Sequence, residues 1–205
     1  MKNVLVCVGA AALGCSSLGA VVSVTGQVSH IAPPPSLAFG VFADKTKAYV
    51  INERQGVQFS GGVDKYLPTV GVAYTTSNLA PALLPGPTWV DSHLIHFDNN
   101  GEPSPYPSVT GTVTFDGPII AIICSLGRLD LSDAALGAPG TIYAAGELSR
   151  GISSVIDTFK LLSPNTIQFT LANGQAMDDI RVLTVPAPSA VAVGLAGLIV
   201  MRRRR

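Results

Sequence analysis

Apolar and polar residues alternate in short runs through the middle of the chain, and Gly, Pro, Asn and Asp punctuate them. Residues 108–115, SVTGTVTF, give the clearest example, with Val109, Gly111, Val113 and Phe115 on one face. The run 22–28, VSVTGQV, alternates in the same way. DSHLIHF (91–97), 154–162, 166–172 and 180–184 fit strands of similar length. Residues 119–126 form a continuous apolar strand after Gly117-Pro118. Residues 48–52 and 56–60 suggest a hairpin around Glu53-Arg54-Gln55. The one helical pattern is LSDAAL (131–136), with Asp130 or Ser132 as its cap. Many short strands at nearly regular spacing predict an all-β chain, a single antiparallel β-sandwich or jelly roll over residues 21–184. Its expected core contains Val113, Phe115, Ile120, Ile122, Cys124, Phe169 and Ile180.

The two ends follow other rules. Residues 1–20 have Lys2, then an apolar stretch from Val4 to Leu13, then small residues ending in Ser-Leu-Gly-Ala. That order predicts a secretory signal peptide cut after Ala20. Residues 185–205 combine Pro186-Ala187-Pro188, an apolar run from Ala190 to Met201, and Arg202, Arg203, Arg204 and Arg205. Prolines stop regular structure because they cannot donate a backbone hydrogen bond. Val185 to Met201 is 17 residues, at the lower edge of the ~17–25 that span a bilayer as a helix. The arginines would stay on the cytoplasmic side and retain the segment in the membrane.

This order of Pro turn, apolar segment and Arg cluster resembles the PEP-CTERM sorting signal of exported bacterial proteins, with Ala187 in place of the central Glu. The resemblance implies an exosortase-type membrane enzyme as partner, processing at Pro186, Ala187 and Pro188, and a transient stay in the inner membrane. The body is also similar to a sequence type found among PEP-CTERM proteins. The stretches that carry this are VDSHLIHFD (90–98), GTVTFDGPIIAII (111–123), LDLSDAALGAPGTIYA (129–144), Arg150-Gly151 and DDIRVLT (178–184). That type implies an exported β domain and no particular activity.

Charge changes the picture once the ends are set aside. Lys2 and the four terminal arginines are five of the 13 basic residues, which leaves eight in the body against 13 acids. An acidic body argues against nucleic acid as partner, because phosphates require a basic footprint. Of the three cysteines only Cys124 lies in the body, within the apolar run, where it fits a small buried hydrophobe. No disulfide framework is available, so apolar packing must hold the fold.

The candidate chemistry is sparse. His93 and His96 form H-x-x-H, but residues three apart on a strand face opposite ways and cannot share a metal. Asp98-Asn99-Asn100-Gly101-Glu102 has the composition of a calcium loop without its spacing, and Asn-Gly is a turn former in its own right. Asp130 with Asp133, at a helix start favoured by the dipole, and Asp178 with Asp179 are the only other paired acids. Arg181 suggests a surface ion pair with Asp179. These features predict no cofactor, no metal and no catalytic residues. The expected function is a non-catalytic envelope or extracellular-matrix protein, exported and sorted to the cell surface. The alternative is a lectin-like module for extracellular polysaccharide, using Trp89, Tyr106 or Tyr143. Aromatics make up only 6% of the chain, which is thin for sugar stacking.

Overall fold

The computed structural model describes residues 20–99, 107–147, 150–152, 156–172 and 176–187. The strands are β1 (Val21–Gly26), β2 (Val28–Ile31), β3 (Ala48–Asn52), β4 (Val57–Phe59), β5 (Gly62–Val63), β6 (Lys65–Tyr66), β7 (Ala73–Tyr74), β8 (Ala82–Leu83), β9 (Thr88–Asp98), β10 (Ser108–Phe115) and β11 (Ile119–Ile123). One helix, α1 (Leu126–Leu136), precedes β12 (Thr158–Ser163), β13 (Thr166–Ala172) and β14 (Met177–Thr184). The protein is mostly β, with two main sheets in a sandwich-like arrangement. The first sheet has the order β1-β10-β13-β12-β7. The second has β2-β3-β9-β14-β11-β6, with β4 also paired to β9, and β5 and β8 form a separate ribbon.

The inner faces of the two sheets make the principal core. Val113, Phe115, Phe159, Ile167 and Phe169 come from the first sheet, and Val50, Ile95, Phe97, Ile122 and Ile180 from the second. Each leaves water on folding, at about 25 cal/mol per Å² of apolar surface. Cys124 is buried here as a free thiol. Ile120 departs from the expected core and is only half-buried. The cause is a shift of register between Ile119 and Ala121 along β14, which makes Ile120 the extra residue of a bulge and turns it toward the opposite face.

The second sheet also carries a layer on its outer face. Ile51, Val90, Leu94, Ala121, Ile123 and Leu183 pack there against Leu129 and Leu136 of α1 and against Leu37, Phe59, Val63 and Leu84. Its central strands are therefore covered on both sides, and every residue of β14 is buried.

Local geometry departs from expectation in three places. Residues 48–52 and 57–59 do not form a hairpin. Both pair with β9, one after the other, at Tyr49–Asn52 and at Val57–Phe59. The run 22–28 is divided between the sheets: β1 pairs with β10, whereas β2 pairs with β3, and in parallel. Gly26 permits the crossing. It has φ +82°, and a Cβ on it would stand 2.7 Å from the Thr110 carbonyl oxygen. The apolar run 119–126 ends as a strand at Ile123, and α1 begins at Leu126 with Ser125 as N-cap. Asp130 and Ser132 are thus interior to the helix and cap nothing.

Candidate functional site

Charge gathers on the outer face of the second sheet, beneath α1. Arg181 on β14 is fully buried. Its Nε and Nη2 donate to Glu53 at 2.7 and 2.8 Å, and Nη2 also reaches Asp133 at 2.8 Å. Arg150 donates to Asp133 at 2.6 and 3.0 Å, to Asp130 at 2.9 Å and to Asp179 at 2.8 Å. The neighbouring carboxylates hold both guanidinium pKa values above the ordinary value despite burial. This corrects two expectations. Arg181 makes a buried network rather than a surface pair with Asp179, and Asp130 and Asp133 are held by arginines rather than by a helix start. The physical reason is that β14 has no solvent face, so a charge on its outer side must find partners in the layer above it.

His96 extends this network. Its Nδ1 lies 2.8 Å from Asp179 Oδ1 and its Nε2 3.2 Å from the Phe42 carbonyl oxygen. Both oxygens are acceptors, an arrangement that suits the imidazolium, which carries a proton on each ring nitrogen. Burial alone would lower its pKa, but the Asp179 hydrogen bond and the charges of Asp179 and Asp98 raise it. Asp179 is correspondingly lowered to about 2, because His96 and Arg150 together outweigh its burial.

His93 faces the other way, as expected for its spacing. Its ring centroid is 4.5 Å from that of Phe115, inside the sandwich. Nδ1 donates to Asn52 Oδ1 at 2.9 Å, and Nε2 accepts from the Thr184 hydroxyl at 3.3 Å. Burial lowers its pKa to about 3, so the ring stays neutral. The two histidines share no ligand position. Among the described residues no group of three or more His, Cys, Asp or Glu is arranged to hold a metal.

A cleft of about 520 Å³ opens beside the first turn of α1, walled by Phe59, Leu83 and Leu131 and floored by Ser125, Arg128 and Ser132. Leu83 and Leu131 are 73% and 85% exposed, which makes the rim apolar. Glycines give it room. A Cβ on Gly127 would meet nothing within 4 Å, whereas one on Gly62 would stand 3.3 Å from Arg128 Nε. Asp64 organises the polar end. Oδ2 accepts from the amides of Cys124 and Ser125, and Oδ1 from the Ser125 hydroxyl and Arg128 Nη1, all at 2.7–2.8 Å. Ser132 accepts a hydrogen bond from Arg181 and so joins the cleft floor to the buried network. Cleft volume and lining suit a small ligand or an apolar side chain. Burial, with the Asp64 carboxylate, pushes the Cys124 thiol pKa well up, which disfavours the thiolate.

The other sequence candidates fall in different places. Trp89 is 58% exposed. Tyr143 is engaged in the network: its hydroxyl donates to Glu53 Oε1 and accepts from the Ala138 amide, both at 2.7 Å, and the Arg150 and Arg181 guanidinium carbons lie 5.6 and 5.5 Å from its ring centroid. Asp98 ends β9, and its Oδ2 accepts from the Gly40 amide at 2.6 Å. Pro186 and Ala187 follow β14 in no regular structure. Tyr106, residues 100–102 of the Asp98–Glu102 segment, Pro188 and Arg202 to Arg205 lie outside the described residues. Asp64, Ser125 and Arg128 were missed in sequence because 61 residues separate the carboxylate from the serine it holds. Comparison with protein-family models, curated proteins and solved structures finds no match.

Proposed function

We propose that this is an exported, non-catalytic protein of the cell envelope or extracellular matrix. In this reading one β domain, residues 21–184, lies between a signal peptide, residues 1–20, and a PEP-CTERM-like sorting segment, residues 185–205. The observation that carries the non-catalytic part is how the ionisable groups are used. Arg150, Arg181, Asp133, Asp179 and His96 are committed to one another between sheet and helix, and none of them lines the cleft. A catalytic acid or base needs access to substrate as well as a shifted pKa, and these groups are 0–13% exposed. The export and sorting part is supported by the two sequence ends.

Fractionation of the native host with intact-mass measurement tests the reading. The expected finding is protein at the cell surface that has lost residues 1–20 and everything beyond Pro186 to Ser189. Cytoplasmic protein of full mass would contradict it. Surface protein that still carries Ala190 to Arg205 would leave export standing and make the tail a permanent anchor.

Exposed Trp89 supports a second reading, a polysaccharide-binding module, because an accessible indole can stack on a sugar ring. Saturable binding to extracellular polysaccharide that Trp89→Ala abolishes would favour it.

A further inference from the structure

We propose that hydrolysis of the Ala20–Val21 peptide bond creates the mature N-terminus, and that its α-ammonium group is received by a cluster of oxygens from Asn52, Asp91 and Asp116. The inference rests on the export reading of residues 1–20 and goes further, in giving the new charge a site. In the reaction water adds across the bond. The carbon–nitrogen bond breaks, Ala20 leaves as a carboxylate, and the Val21 nitrogen gains protons to become an ammonium.

Three observations bear on this bond. Both of its polar groups are already held by the sandwich. The Ala20 carbonyl oxygen accepts from the Asp116 amide at 3.1 Å, and the Val21 N–H donates to Asn52 Oδ1 at 3.3 Å. Val21 is itself buried, paired across the ladder with Phe115. A terminus created here therefore starts inside the fold rather than in a loose arm.

The second observation is an oxygen without a partner. Asp91 lies two positions before His93 on the same face of β9, and His93 donates to the same Asn52 oxygen that receives Val21. Asp91 is 1% exposed. Its Oδ1 accepts from the Gly56 amide at 2.6 Å, whereas Oδ2 is buried and accepts from nothing among the described residues. Buried polar atoms of native proteins are seldom left so.

The third is electrostatic. Burial raises the pKa of Asp91, the Gly56 hydrogen bond opposes that rise, and the Asp116 carboxylate adds to it. Asp116 immediately follows the cross-strand partner of Val21. A neutral amide offers one donor and no charge. An ammonium offers three donors and one positive charge, enough for Asn52 Oδ1, the unpaired Asp91 oxygen and the Asp116 carboxylate together.

The test uses the full chain, exported by its own leader and purified from the envelope. Mass spectrometry reads the first residue, and acylation of the α-amine across pH reads its pKa. The expected chain begins at Val21. Its amine titrates at least about one unit above the ordinary ~7.7–8.0, so it labels about tenfold more slowly at pH 7. Asp91→Asn should restore much of the ordinary rate. Should that variant fail to accumulate, Asp116→Asn, at an exposed position, should accelerate labelling severalfold. A chain that begins at Val21 but labels at the ordinary rate, unchanged by Asp116→Asn, overturns the site and leaves export standing. So does a chain that begins at another residue of the leader region. A chain that retains Met1 overturns both.

Discussion

Strands β10 and β14 are each eight residues long, but they meet water differently. In β10 the residues alternate: Val109, Gly111, Val113 and Phe115 are buried, while Ser108 and Thr110 are exposed and Thr112 and Thr114 half-buried. In β14 all eight are buried. The first sheet has one covered face, so its polar residues can be simple hydroxyls; Thr110 and Thr170 hydrogen-bond across strands at 3.0 Å. The second sheet has two covered faces, and polar side chains on its outer one must be matched by partners from the helix and loops. A strand with a wet face tolerates a polar residue at little cost, whereas a doubly covered strand makes the same residue depend on remote parts of the chain.

The largest expected effect follows from that dependence. Arg181→Met removes a buried cation and leaves Glu53 and Asp133 short of their partner, which should cost about 3–5 kcal/mol in urea unfolding. A loss below about 1 kcal/mol, within the range of an exposed pair, would mean that the network does not hold this face.

The next contrast lies within one strand. His93 and His96 sit on opposite faces of β9 and should tilt the pH–stability curve in opposite directions. The folded value of His96 is raised, by Asp179 and Asp98 and with Arg150 and Tyr49 nearby. Its contribution is therefore complete below about 6.5 and is lost as pH rises through the folded value. The folded value of His93 is lowered to about 3, so stability is lost as pH falls from about 6.5 toward 3. Melting curves of His93→Gln and His96→Gln against pH should show the acid-side loss reduced in the first and the alkaline-side loss reduced in the second. Slopes unchanged in both variants would remove the contrast.

Smaller effects mark the ordinary core and the wet face. Ile180→Val, in the fully buried inner layer, should cost about 0.5–1.5 kcal/mol in the same urea measurement. Thr112→Ala, on the outer face of the first sheet, should change stability by no more than about 0.5 kcal/mol. A larger loss there would show that the outer face is covered in solution.

The same contrast explains what could be read from the sequence. Val113, Phe115 and Phe169 were legible because the first sheet alternates, and Ile122, Cys124 and Ile180 because their runs are dense in apolar residues. Ile120 was not, since a bulge is a property of the pairing and not of β11 alone. Arg181 has the sequence pattern of a surface residue because Glu53, its partner, lies 128 residues away. The start of α1 is hidden for a related reason. Ser125 makes no side-chain cap, and the distant Asp64 carboxylate instead binds the amides of Cys124 and Ser125 just before the helix. The cleft depends on that same distant carboxylate. Local pattern thus revealed the sandwich, while the charged layer and the cleft arise from contacts that only the folded chain creates.

The central claim is that the buried ions fasten the helix layer to the second sheet. Native-state hydrogen exchange tests it most directly, by comparing amides of α1 with those of β10 and β13 in the wild type and in Arg181→Met. The expected result is selective loss of protection in α1 by at least about a hundredfold, equivalent to roughly 2.7 kcal/mol of local opening, with β10 and β13 much less affected. Equal loss in all three elements, or none in α1, would contradict it.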